Sequence, residues 1–254
     1  LPAQHPDITP SPAGPVKPLH ILMLTMFIDL AGFAMFIPLL NYIVAELGGT
    51  ILTVGLLITA FSLAQFVCLP AWGRLSDRIG RRPVIMLGLG GAAVAYAVFG
   101  LADPALGLSD DNRLLLGVLF LSRIMLGVMS ANYAAAYAYV ADVTPPEERA
   151  QGMGMLGVAF GLGFVCGPAL GGLLGQWGFW LPAFFGSGLA LLNLFCAWRW
   201  LPESLPVGHV VRPRVSPGEA LRETLAYLRQ PRLGLLLVIF TLYLLAFSII
   251  FGTF

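Results

Sequence analysis

Charge is what this sequence has least of. Acidic and basic side chains together make up 11% of its 254 residues, where a soluble domain carries about 25%. With so little charge and apolar runs of about 20 residues, the chain reads as a membrane protein that crosses the bilayer several times. Cysteine is scarce as well. Cys68, Cys166 and Cys196 all fall in apolar runs, and they read as buried thiols rather than a disulfide or metal set. The sequence lacks an HExxH metal motif, a phosphate-binding glycine loop and a nucleophile–base set. Enzyme activity, ATP-driven transport, a bound metal and a cofactor are therefore not expected, nor is a nucleic-acid partner. A cleavable signal peptide is not expected either, because the first apolar run is long, carries Asp29 and has no small-residue cleavage site. The chain opens on Leu1 rather than Met, so its true start is expected to be missing or processed.

What is there is apolar length. Seven runs, roughly 19–40, 54–72, 84–102, 114–138, 152–175, 180–201 and 233–254, are each long enough to cross about 30 Å of hydrocarbon as a helix. Helices are required because an open strand leaves its backbone polar groups unsatisfied in lipid. The tail before them, residues 1–18, holds Pro2, Pro6, Pro10, Pro12, Pro15 and Pro18 and is expected to be disordered. The organisation is thus a tail at 1–18, six spans over 19–201, a polar connection at 202–232 and a seventh span at 233–254. Within the connection, Ser216-Pro217-Gly218-Glu219 reads as a helix start, and Leu221, Leu225 and Leu228 share one face. That pattern fits a short amphipathic helix on the membrane surface or a solvated linker helix.

The few charges are unevenly placed. Lys17, Arg74, Arg78, Arg81, Arg82, Arg149, Arg212, Arg214, Arg222, Arg229 and Arg232 fall on one set of loops, and the opposite set contains only Arg113. The positive-inside rule puts the first set, and the N-terminus with it, in the cytoplasm. The segment from Gly73 to Pro83 carries four of these arginines and Asp77 in what reads as a loop at the membrane surface.

Two charges stand inside apolar spans. Asp29 is ten residues past Leu19 and Arg123 nine past Leu114, which places both about 15 Å along a helix and near mid-depth. Intramembrane charges are costly and face a polar cavity or each other. They mark a substrate- or proton-handling site, or else a structural ion pair. Gln65, Asn41, Asn132, Tyr133, Tyr137 and Asn193 are candidates to bond either a ligand or a neighbouring helix. Phe27, Phe33, Phe36 and Phe61 fit an apolar pocket wall or ordinary packing. In the fifth span Gly163, Gly167, Gly171 and Gly175 recur every four residues, and Gly154, Gly157, Gly161 and Gly172 widen the small surface. Such a stripe lets a neighbouring backbone approach closely. Pro168 removes one donor and is expected to bend the helix.

These residues resemble a family. Gly73-x-Leu75-x-Asp77-Arg78-x-Gly80-Arg81-Arg82 is similar to the loop between helices two and three of the major facilitator superfamily. Gly154, Gly163, Gly167-Pro168 and Gly171-Gly172 resemble its antiporter motif, and Arg123-x-x-x-Gly127 its fourth-helix motif. Asp29-x-x-Gly32 with Ile37-Pro38 resembles the first helix of drug–proton antiporters. Ser76 to Val84, the Ala141-Asp142…Glu148-Arg149-Ala150 segment and Leu201-Pro202-Glu203-Ser204 look most like tetracycline/proton antiporters. Asn41 stands where the first-helix motif has its second proline, and Ala95 where tetracycline carriers place an acidic residue before the tyrosine, here Tyr96.

The resemblance implies an all-α membrane fold: a six-helix N-terminal bundle plus a seventh helix, short of the family's twelve. It implies a partner half of six further helices, lipid around the bundle and a bacterial inner-membrane location. The implied activity is proton-coupled efflux of a small drug-like molecule, driven by the proton gradient. A metabolite or sugar facilitator and a non-transporting receptor are the alternatives. It further implies that Asp77 caps a helix of the other half, that Arg81 pairs with Asp142, and that Gly73, Arg78, Gly80, Arg82 and Arg149 belong to the same gate.

Overall fold

A computed structural model describes residues 18–205, with residue 230, residues 234–239 and residues 241–242 beyond them. It is helical throughout, and no strand occurs among the described residues. The helices are α1 (Pro18–Met35), α2 (Ile37–Glu46), α3 (Ile51–Ile79), α4 (Arg81–Gly100), α5 (Asn112–Ser130), α6 (Tyr133–Val143), α7 (Arg149–Leu174) and α8 (Trp180–Trp200). α1 with α2, and α5 with α6, each continue one crossing across a short break, so the eight helices make six spans. The expected amphipathic helix and most of the seventh span lie outside the described residues. The described pieces at 234–239 and 241–242 are helical and belong to a separate unit.

Several boundaries differ from the sequence reading, each for a local reason. The first crossing reaches Glu46 rather than 40, interrupted at Phe36. Pro38 sits in the first turn of α2, where its missing N–H costs little, so the chain restarts rather than ends. The fourth crossing runs to Val143 rather than 138, broken around Ala131 and Asn132. The largest correction concerns Gly73 to Pro83. It is not a loop: α3 continues through Arg74, Asp77 and Arg78 to Ile79, and α4 starts at Arg81. Gly80 alone separates them, at φ 106°, a backbone region open to glycine and strained for other residues. α7 runs unbroken through Pro168 as a single helix.

The core forms where helix pairs approach closely. α1 packs chiefly against α7, α4 against α8 and α5, and α3 against α5. The first of these pairs shows the purpose of the glycine stripe. A Cβ on Gly163 would lie 2.9 Å from the Phe27 carbonyl oxygen, and one on Gly167 would lie 2.7 Å from that of Ala31. Gly171 meets the Met35 carbonyl, and Gly175 the side chain of Leu39. The backbones of α1 and α7 are therefore in van der Waals contact along Gly163, Gly167 and Gly171, the packing that lipid-embedded helices use in place of hydrophobic collapse, and Gly175 just past α7 extends the stripe onto α2. Gly154, Gly157, Gly161 and Gly172 meet nothing within 4 Å. They form an opposite, exposed stripe rather than a wider version of the first.

At one end of the bundle Asp103 is buried, and its carboxylate accepts from the backbone N–H of Trp180 at 2.6 Å and of Ala105 at 2.8 Å. That contact ties the end of α4 to the start of α8. The arginine-rich edge lies at the other end.

Candidate functional site

Asp29 on α1 and Arg123 on α5 are 5% and 3% exposed, so both sequence-identified charges face the bundle interior rather than lipid. They do not pair. Among the described residues the ion pairs are those of Arg81 with Asp77 and with Asp142. The Tyr133 hydroxyl, at the start of α6, hydrogen-bonds the Asp29 side chain, while Asp29 Oδ2 is buried without a partner. Arg123 is held by aromatic faces. Its guanidinium carbon lies 4.6 Å from the Phe99 ring centroid and 5.3 Å from that of Phe36, inside the range of a cation–π contact. Its Nε is buried and has no hydrogen-bond partner.

Tyr96 of α4 connects the two charges. Its ring stacks on Phe36 at 5.1 Å, and it interacts electrostatically with both Asp29 and Arg123. A Cβ on Gly32, one turn past Asp29, would come 3.3 Å from the Tyr96 hydroxyl. The glycine therefore lets this phenol lie against α1. Gly127, one turn past Arg123, lies against the Phe61 carbonyl of α3, so it is what lets α5 approach α3. The result is a chain of Tyr133, Asp29, Tyr96 and Arg123 in which Asp29 Oδ2 and Arg123 Nε are buried and have no protein partner. A carboxylate of this kind can take up a proton, and the guanidinium can receive an acceptor group.

The remaining mid-span candidates scatter. Asn132 is buried at the α5–α6 break, packed beneath Gly88, with Oδ1 unpartnered. Tyr137 is exposed, one turn past Tyr133, with which it interacts. Gln65 is half-buried on α3, and Asn41 is exposed on α2 beyond the break. Asn193 of α8 donates from Nδ2 to the Thr25 carbonyl at 3.0 Å, a contact between helices.

The second cluster sits at the arginine-rich edge around Arg81, which is 8% exposed. Its Nη1 lies 2.6 Å from Asp77 Oδ1 and donates to Ser76 Oγ at 2.7 Å. Its Nε donates to Asp142 Oδ2 at 3.2 Å, the pairing that the resemblance implied. Glu203 completes the cluster. Its carboxylate accepts from the backbone N–H of Arg81 at 2.9 Å and of Arg82 at 3.2 Å. Because Gly80 offers no capping side chain, the free N–H groups at the start of α4 need an acceptor from elsewhere. One junction thus joins the ends of α3, α4 and α6 to the segment after α8. Gly73, Arg78 and Arg149 lie around it. Arg78 is exposed, Gly73 is half-buried, and Arg149 donates from Nε to the Thr144 carbonyl at 3.3 Å.

The sequence reading did not assign site roles to Tyr96, Phe99, Ser76 or Glu203. Glu203 carried a signal, an acidic residue just past a span with an uncapped helix start elsewhere at the same membrane edge. Phe99 carried none, since an aromatic residue in an apolar run reads as core.

The family model described as Major Facilitator Superfamily matches residues 22–254. The chain is 32% identical over 235 residues to the class E tetracycline resistance protein of Escherichia coli, covering 90% of this chain and 55% of that protein. It is 34% identical over 190 residues to multidrug resistance protein 2 of Bacillus subtilis, covering 74% and 44%. Among solved structures, that of the human organic anion transporter MFSD10 superposes with a TM-score of 0.64 at 29% identity, covering 83% of this chain and 54% of that one. The chain spans about half the length of the curated relatives it matches.

Proposed function

The chain belongs to the Major Facilitator Superfamily, and from that premise we propose that it acts in proton-coupled efflux of drug-like small molecules. One observation carries the reading: Asp29 is buried near mid-span, bonded to a phenol and not paired with a cation among the described residues. A carboxylate kept only for structure would be expected to have its charge matched. One kept for coupling needs its second oxygen free to receive a proton. Protonation there removes a charge from the interior and alters the field that Arg123 feels across Tyr96. Binding of a substrate at the same depth would compete with that proton.

In this reading the Arg81 junction is the latch. Its contacts with Asp77 and Asp142 hold helix ends that must separate when the cavity changes sides, so it is an element with two arrangements that protonation or substrate biases. A second six-helix half is expected to complete the cavity, with Asp77 directed at one of its helices. The basic edge is expected on the cytoplasmic side. The likeness to tetracycline and multidrug resistance proteins supports efflux.

The unpartnered Nε of Arg123 favours one second reading, transport of organic anions, as the name of the structural neighbour states for that protein. Expressed from its gene in efflux-deficient bacteria, the protein is expected to lower accumulation of a fluorescent cationic drug until an uncoupler is added. Uncoupler-insensitive transport of an organic anion, with no effect on the drug, would favour the second reading.

A further inference from the structure

Away from both clusters, α4 and α8 leave a groove of about 710 Å³ lined by Arg82, Pro83, Met86, Gly90, Leu194 and Trp198, continued by Leu191 and Phe195. We propose that this groove seats one acyl chain of an anionic phospholipid, with the headgroup phosphate at Arg82.

The lining is apolar along its length and cationic only at one end. Arg82 stands at the basic edge of the bundle, and its Nη2 donates to the Trp198 carbonyl. That bond fixes the guanidinium at the mouth of the groove, which it lines and where it supplies the one positive charge. Glu203, the carboxylate nearby, is occupied by the backbone N–H groups of Arg81 and Arg82. From Arg82 to Gly90 is eight residues, about 12 Å of helix, close to the roughly 15 Å of one hydrocarbon leaflet. The groove is therefore long enough to hold the upper part of one acyl chain beneath a phosphate at Arg82. Trp198, with its ring 6.0 Å from Phe195, sits at the level where aromatic residues meet headgroups.

Gly90 gives the groove its depth. A Cβ there would meet only Leu194 Cδ2, at 3.6 Å, which is ordinary contact, whereas Gly91 lies against Met129 and serves helix packing. A larger side chain at 90 would fill the groove without displacing a helix. The lipid is specified by charge complementarity at Arg82 and by the apolar lining below it. Lipid binding here needs only a membrane-embedded bundle and is independent of proton coupling.

The test is native mass spectrometry of the purified full chain titrated with phosphatidylglycerol and with phosphatidylcholine of the same acyl length. One phosphatidylglycerol should be retained about fivefold more tightly, the scale of one basic residue near a membrane surface. Arg82→Gln should abolish that preference, and Arg82→Lys should keep most of it. Gly90→Leu should weaken retention of both lipids. Phosphatidylglycerol brominated on its acyl chain should quench tryptophan fluorescence, with the quenched component lost in Trp198→Phe. Equal retention of the two lipids, an unchanged preference in Arg82→Gln, unaltered binding in Gly90→Leu, or quenching that survives in Trp198→Phe would overturn the proposal.

Discussion

Gly167 and Ala31 lie so close that a Cβ on the glycine would stand 2.7 Å from the Ala31 carbonyl oxygen. That proximity makes α1 and α7 a single packed unit and sets the position of Asp29 half a turn earlier. Gly167→Ala forces the two backbones apart and is expected to cost about 1–3 kcal/mol, the usual scale of overpacking. Gly161→Ala, on the open face of the same helix, is expected to be neutral or to stabilise by up to about 1 kcal/mol through helix propensity. Thermal unfolding of the two variants in detergent compares them directly.

Glu203 caps a helix to which it does not belong. Glu203→Ala leaves the first N–H groups of α4 without their acceptor and should cost about 0.5–2 kcal/mol, as the loss of a helix cap does. Hydrogen exchange should rise at the amides of Arg81 and Arg82, with little change at the far end of α4 near Gly100. Protection unchanged at Arg81 and Arg82 would contradict the capping role.

The Arg81 junction should be more sensitive to loss of its centre than of its rim. Arg81→Ala leaves Asp77 and Asp142 without their cation and Ser76 without its donor, and is expected to destabilise by about 3 kcal/mol. Asp142→Asn, on a partly exposed partner, should cost about 1 kcal/mol or less. Melting temperatures of the two single variants measure the difference.

Arg123 depends on rings rather than on a carboxylate. Phe99→Leu keeps the apolar volume roughly constant but removes the nearer π face, and should cost about 1–2 kcal/mol, the scale of a desolvated cation–π contact together with a shape change in the core. A stability equal to the parent protein in thermal unfolding would show that the ring does not hold the guanidinium.

Much of this was legible in the sequence because membrane burial leaves strong local signatures. Asp29 and Arg123 stood out because charge in an apolar run is rare. The four-residue spacing of Gly163, Gly167, Gly171 and Gly175 showed that one stripe of a helix is bare. The spacing did not show which helix fills it, since α1 and α7 are far apart in the chain. The helical state of Arg74 to Ile79 was hidden because dense charge reads as a loop, although charges at the end of a span can extend its helix beyond the hydrocarbon. Tyr96 and Phe99 were hidden for a common reason. Each acts through a partner distant in the chain, and no local pattern records such a pairing.

The proton-coupling role of Asp29 is the central claim, and one substitution tests it. Asp29→Asn keeps the shape and the capacity to bond Tyr133 but cannot carry the charge that protonation removes. In efflux-deficient cells, uncoupler-sensitive export of a fluorescent drug should fall to the level of cells lacking the protein, while the amount of protein in the membrane stays unchanged. Export by the Asp29→Asn protein that matches the parent in rate and is still stopped by the uncoupler would contradict the account.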